Sequence, residues 1–193
     1  MTTANKITIL RILLIPFFIV QTLYYFRSGD ELHRFLGVVS FAVASILDGV
    51  DGYIARRYNQ KSELGAILDP LADKLLLVSG IVLLSFRNQT YLKVIPLWLT
   101  ATIISRDVLL LIGLGVIHMV CGKVTVRPRI IGKVATVLQM VTVIWILLKW
   151  SPGWLPYWTV GAAVCTGVSG LLYIWDGMRQ LSASPRSSAT PGQ

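Results

Sequence analysis

The chain has 193 residues, of which 54% are hydrophobic and only 14% charged, with a net charge of +9 and a mean hydropathy of +0.68. That balance excludes a soluble globular domain, whose surface would need far more polar residues. The basic residues gather at the ends of apolar runs rather than in one patch, which excludes a nucleic-acid binder and points to lipid headgroups.

Apolar runs of about 20 residues, each long enough to cross a bilayer core, recur along the chain. They predict an all-α integral membrane protein with six transmembrane helices over 6–26, 35–57, 64–86, 94–119, 131–150 and 155–178. The first run begins at Ile7 and is long enough to stay in the membrane rather than serve as a cleaved leader. Residues 1–180 read as one membrane domain, and the Ser/Pro/Ala-rich stretch 181–193 as a disordered tail. Cys121 and Cys165 lack metal or redox spacing and read as free thiols.

In the first helix, Asn5, Thr8 and Arg11 recur every three residues along one face. The second and third helices carry "LDGVDGYIARRYNQKSELGAILDPLADKLLL", residues 47–77, with four aspartates in an otherwise apolar setting. Each would cost roughly 2.5–3.5 kcal/mol at the centre of a membrane helix. Nearby cations read as too few and too badly placed to neutralise all four. Asp48 and Asp51 are i, i+3, and Asp69 and Asp73 are i, i+4, so each pair shares one helix face. A short loop near 57–63 would bring the two pairs to matching depth at one membrane boundary. Converging carboxylates suit a hard divalent cation, Mg²⁺ or Mn²⁺, and two such ions about 4 Å apart suit in-line phosphoryl chemistry. Gly52, Ala55 and Gly65 would leave room for a bulky ligand, and Arg56 could reach a phosphate. Pro70 removes a helix donor directly after Asp69.

The fourth helix holds Arg106 at membrane depth, where an ionisable group is a functional candidate. Adjacent residues on a helix point about 100° apart, so pairing with Asp107 reads as awkward and Arg106 reads as a phosphate ligand. Lys133, Thr136 and Gln139 follow at three-residue steps in the fifth helix and could hold an anionic acceptor. Across the eighteen Lys and Arg, twelve fall on the side of the N-terminus and five on the other, with Arg106 between, which predicts cytoplasmic termini. Tyr24, Tyr25, Tyr91, Trp98, Trp150, Trp154, Tyr157 and Trp158 would form an aromatic belt on the far side.

The pattern Asp48-Gly-Val-Asp51-Gly52-Tyr-Ile-Ala55-Arg56, then eight residues, then Gly65-Ala-Ile-Leu-Asp69-Pro-Leu-Ala-Asp73, resembles the complete signature of the CDP-alcohol phosphatidyltransferases, DxxDGxxAR-x8-GxxxDxxxD. The resemblance implies a membrane enzyme, usually a homodimer, that moves the phosphatidyl group of a CDP-linked lipid such as CDP-diacylglycerol onto an alcohol and releases CMP. It implies that Asp48, Asp51, Asp69 and Asp73 hold the metal ions and that Asp73 is also the general base. It implies CDP-lipid binding by Gly52, Ala55, Arg56, Ser62 and Gly65. Asn5, Thr8 and Arg11 resemble the "N-x-x-T-x-x-R" opening of the phosphatidylglycerophosphate synthase branch and would add contacts to CDP. In that branch the acceptor is glycerol 3-phosphate, and Arg106, Lys133, Thr136 and Gln139 would bind it. The resemblance implies a bacterial inner membrane with the active site facing the cytoplasm. Two phrases, "LDPLADK" and "ISRDV", also resemble the cardiolipin synthases of the same family, whose acceptor is phosphatidylglycerol. Intramembrane carboxylates alone would also fit a cation transporter or channel.

Overall fold

A computed structural model of the chain describes residues 3–57, 63–86, 90–121 and 130–182. Among these residues it is all helical: α1 (Thr3–Ser28), α2 (Glu31–Arg57), α3 (Glu63–Ser85), α4 (Leu97–Cys121), α5 (Ile130–Leu147) and α6 (Leu155–Ser182). Every expected helix is present, and its ends move for local reasons. α1 continues to Ser28 and closes where Gly29, at φ 70°, donates its N–H to the Tyr25 carbonyl at 2.8 Å. α2 begins at Glu31 rather than 35 because the Asp30 carboxylate accepts the Leu32 N–H at 2.9 Å, as an N-cap. α5 stops at Leu147, short of 150, where the backbone turns through Lys149 at φ 54°. α6 reaches Ser182, just inside the stretch expected to be tail, and 183–193 lie outside the described residues.

Among the described residues, three stretches are long and apolar enough to cross a membrane: Ile7–Ser28, Ile130–Leu147 and Leu155–Met178. Lys74–Ser85 is a shorter apolar stretch. α2 carries charged residues toward both ends, and α4 carries Arg106 and Asp107 in its middle. Large apolar side chains face outward from the helices, with Leu13 at 64%, Leu111 at 70% and Tyr157 at 71% exposure. In water that surface would be costly, and in lipid it is not, so this is an integral membrane protein. Of the expected aromatic belt, Tyr24, Tyr91, Trp98, Trp150, Trp154 and Tyr157 are exposed, but Tyr25 is a core residue at 1% exposure. Its ring packs against Tyr91, with centroids 5.8 Å apart.

The chain divides into two compact units, Met1–Pro96 with Met140–Pro156, and Leu97–Gln139 with Tyr157–Gln193. In the first, α1 packs along α2 and also touches α3. Phe18 and Phe41 meet at 5.2 Å between ring centroids. A Cβ on Gly80 would stand 3.1 Å from Val143 and 3.3 Å from Phe41, so the bare glycine lets the backbone of α3 lie close to both. Several Ser and Thr hydroxyls bond backward to carbonyls of their own helix, as Thr22 does to Phe18 at 2.8 Å and Ser45 to Phe41 at 2.8 Å, which satisfies those groups in an apolar setting.

At the end of the first unit where α2 starts, charges tie three segments together. Arg34 Nη1 donates to the Leu147 carbonyl at 2.8 Å, capping the C-terminus of α5. Glu31 accepts from Lys149 Nζ at 2.6 Å and also pairs with Arg34. The Lys149 hydrogen bond, and then that of Arg34, hold the Glu31 carboxyl below its ordinary value of 4.5. The same Glu31 bond, with Tyr25, raises the Lys149 ammonium above 10.5. In the second unit, Gln139 Nε2 donates to Thr166 Oγ1 at 2.8 Å, and both residues are buried.

Candidate functional site

In the first unit α1 presents Thr8 and Arg11 inward, both at 1% exposure. Arg11 Nη1 lies 2.7 Å from Asp48 Oδ1, and Asp48 is 33% exposed. One of the four aspartates thus has a cation beside it, and that cation comes from α1 rather than from the signature itself. A guanidinium this deep needs a counter-charge, and a carboxylate two helices' worth of sequence away supplies it.

The backbone of α2 is helical through Asp51, Gly52, Ala55 and Arg56, and that of α3 through Gly65, Asp69 and Asp73 without a break at Pro70. The expected i, i+3 and i, i+4 pairings of the aspartates therefore each share a helix face. The side chains of these residues other than Asp48, and that of Asn5, lie outside the described residues, as does Ser62 altogether. Among the described residues no three His, Cys, Asp or Glu side chains come together. The donor set of the signature is carboxylate only, with no His or Cys between residues 47 and 77. That chemistry fits a hard divalent cation such as Mg²⁺ or Mn²⁺ rather than a soft one.

In the second unit Arg106 is held on several sides. Its Nη1 bonds Asp107 Oδ1 at 2.7 Å, its Nη2 bonds Ser169 Oγ at 3.1 Å, and its guanidinium carbon lies 5.7 Å from the Tyr173 ring centroid. Here the structure corrects the sequence reading. The Asp107 pairing is made, because the long Arg side chain bends across the 100° between adjacent helix positions. Arg106 Nε is buried and carries no hydrogen-bond partner among the described residues. Two glycines make the slot: a Cβ on Gly170 would stand 3.2 Å from Arg106 Cγ, and one on Gly132 would stand 3.3 Å from its Nη2.

The other expected acceptor residues sit at graded depth along α5. Lys133 is exposed, Thr136 is half-buried and donates to the Gly132 carbonyl at 3.1 Å, and Gln139 is buried on Thr166. Thr166, Ser169 and Tyr173 of α6 escaped the sequence reading. Their spacing of three and four residues on one face was the available signal, in a helix with no charged motif to draw attention to it.

The chain matches the CDP-alcohol phosphatidyltransferase family model over residues 1–168. It is 34% identical over 179 residues, 92% of each chain, to the CDP-diacylglycerol–glycerol-3-phosphate 3-phosphatidyltransferase of Shigella flexneri serotype 5b (strain 8401). The enzyme of the same name from Escherichia coli strain K12 is 33% identical, again over 92% of each chain. With a complete aspartate signature on two adjoining helices and a family match from the first residue to deep within α6, the chain belongs to the CDP-alcohol phosphatidyltransferase family and is a transferase of phospholipid biosynthesis.

Proposed function

We propose that the protein transfers the phosphatidyl group of CDP-diacylglycerol to glycerol 3-phosphate, giving phosphatidylglycerophosphate and CMP. The observation that carries this reading is the similarity to enzymes of that printed activity over 92% of both chains. That similarity favours glycerol 3-phosphate over phosphatidylglycerol as the acceptor. The protein acts as a homodimer spanning a bacterial inner membrane with six helices. Both termini and the active site face the cytoplasm. Residues 1–180 form its membrane domain, and the remainder is a disordered tail.

The roles follow from the chemistry of the side chains. Gly52, Ala55 and Gly65 leave room for the nucleotide and its pyrophosphate, which Arg56, Ser62, Asn5 and Thr8 bind. Arg11 steadies the Asp48 carboxylate from the neighbouring helix and adds positive charge beside the CDP phosphates. Asp48, Asp51, Asp69 and Asp73 hold two Mg²⁺ or Mn²⁺ ions, whose chemistry is to offset the negative charge of the pyrophosphate. Arg106 and Lys133 bind the acceptor phosphate, with Thr136 and Gln139 as polar neighbours. Asp73 accepts the proton of the acceptor hydroxyl. The new bond forms from that oxygen to the lipid-side phosphorus, and the bond from that phosphorus to the bridging oxygen breaks, so that CMP leaves.

An acceptor panel tests the reading. Purified protein with CDP-diacylglycerol and Mg²⁺ is offered glycerol 3-phosphate, phosphatidylglycerol, inositol phosphate or serine, and CMP release is followed. Release with glycerol 3-phosphate alone is expected. Release with phosphatidylglycerol alone would make the protein a cardiolipin synthase and overturn the acceptor assignment.

A further inference from the structure

The first unit contains a second candidate binding site, remote from the aspartates. Glu31 and Asp48 lie seventeen residues apart on α2, which separates them by about 25 Å along the helix. Near the Glu31 end, the segment after α3, the last turn of α5 and the connector to α6 line a half-open cavity of about 270 Å³. Tyr91, Lys93, Trp145, Lys149, Trp150 and Pro152 form most of its wall. Among the described residues the lining carries two lysines, of which Lys149 is paired with Glu31 and Lys93 has no carboxylate beside it in the lining.

The wall is built rather than loose. Tyr91 occupies the space that a side chain on Gly29 would need, its ring carbon 2.6 Å from the position of a Cβ there. Trp145 and Trp150 meet edge to face at 4.8 Å, and Trp145 Nε1 donates to the Ser151 carbonyl at 3.0 Å. Lys149 is fastened to Glu31 at 2.6 Å. Lys93 is exposed and has no acidic neighbour in the lining. A cavity held open in this way charges a ligand little ordering cost.

Its depth indicates what enters. Residues 148–154 lie between the end of one candidate span, Ile130–Leu147, and the start of the next, Leu155–Met178. That is the level of lipid headgroups, where Trp, Tyr and Lys are at home. The volume falls just under the range of about 300–1,000 Å³ usual for small-molecule sites, so it suits a headgroup and not a whole lipid. We propose that this cavity binds the phosphate ester of an anionic phospholipid headgroup, with Lys93 and Lys149 meeting the phosphate and Trp145 and Trp150 meeting its carbon atoms. The site is separate from the transfer reaction.

Full-length protein in nanodiscs is labelled with a photoactivatable phosphatidylglycerol carrying its reactive group in the headgroup, and the labelled peptides are mapped. Label is expected in the peptides containing Lys93 and residues 145–152, competed by unlabelled phosphatidylglycerol and not by inorganic phosphate. Lys93→Ala is expected to lower that label about fivefold, the effect of one basic residue at an anionic surface. CMP release by the same variant stays at the wild-type rate, which also shows that it is folded. Equal labelling by a phosphatidylcholine probe, or label unchanged in Lys93→Ala, would overturn the proposal. Inorganic phosphate that protects these peptides from an amine- or indole-directed reagent, with no lipid labelling, would overturn the lipid source in favour of a free anion.

Discussion

Asp48→Ala is expected to destabilise the protein more than Arg11→Met, although both remove the same 2.7 Å contact. With charge centres about 4 Å apart and an effective dielectric constant near 20, the pair is worth roughly 4 kcal/mol of Coulomb energy. What each substitution leaves behind differs. Arg11 is 1% exposed, so without Asp48 a buried guanidinium loses the carboxylate on its Nη1, at a cost of about 3–5 kcal/mol. Asp48 is 33% exposed, so without Arg11 its carboxylate recovers some hydration, and the expected cost is about 1–3 kcal/mol. Met keeps most of the packed volume of the Arg stem, which limits the cavity term. Unfolding is measured in detergent with added chelator, so that no divalent ion contributes, using far-ultraviolet circular dichroism. The double variant Arg11→Met/Asp48→Ala should cost clearly less than the sum of the two, by about 0.5–3 kcal/mol. Strict additivity, or a larger loss in Arg11→Met than in Asp48→Ala, would refute the claim that this buried ion pair fastens α1 to α2.

Asp73→Asn should lower CMP release by about 10²–10⁴-fold, the usual worth of a general base, while CDP-lipid binding measured by equilibrium dialysis persists; near-normal turnover would remove Asp73 from that role. Gly29→Val places a β-branched residue at φ 70° with its Cβ 2.6 Å from the Tyr91 ring, so a thermal melt should show a loss of at least about 1–2 kcal/mol. Glu31 has its carboxyl held below 4.5, so its contribution to stability is present above that value and lost as pH falls through the lowered one. The melting difference between wild type and Glu31→Gln should therefore be present at neutral pH and vanish in acid. Lys149, raised above 10.5, contributes below that value and loses its contribution as pH climbs past the raised one. A difference that persists unchanged from neutral to strongly acidic solution would show that Glu31 acts without its charge.

The helices were legible because helix formation is a local property: apolar runs mark helices in a membrane protein whatever their neighbours, and the stretches that carry Asp48, Asp51, Asp69 and Asp73 are continuous helix. The Arg11–Asp48 pair was not legible, since its partners lie on different helices and only packing brings them together. Composition placed Tyr25 in the aromatic belt with Tyr24, yet neighbours on a helix point to different sides, and Tyr25 turned inward. The Arg106–Asp107 pair was misjudged from the directions of the Cα–Cβ bonds, which neglects the reach of a long flexible side chain. Ser169 and Tyr173 went unnoticed because a serine and a tyrosine in an apolar helix mean little until a charged group is found against them.

The way Arg106 finds its counter-charge bears on how the chain enters a bilayer during synthesis. Arg and Asp would each cost roughly 2.5–3.5 kcal/mol at the centre of an inserting helix if they entered as isolated ions. Arg106 and Asp107 are adjacent in sequence and joined at 2.7 Å, so α4 can leave the translocon as a nearly neutral segment, before Ser169 and Tyr173 have been made. Arg11 has no such companion within α1, and its bonded carboxylate, Asp48, arrives thirty-seven residues later near the end of α2. α1 and α2 are thus best released as a hairpin, whereas α4 can be released by itself.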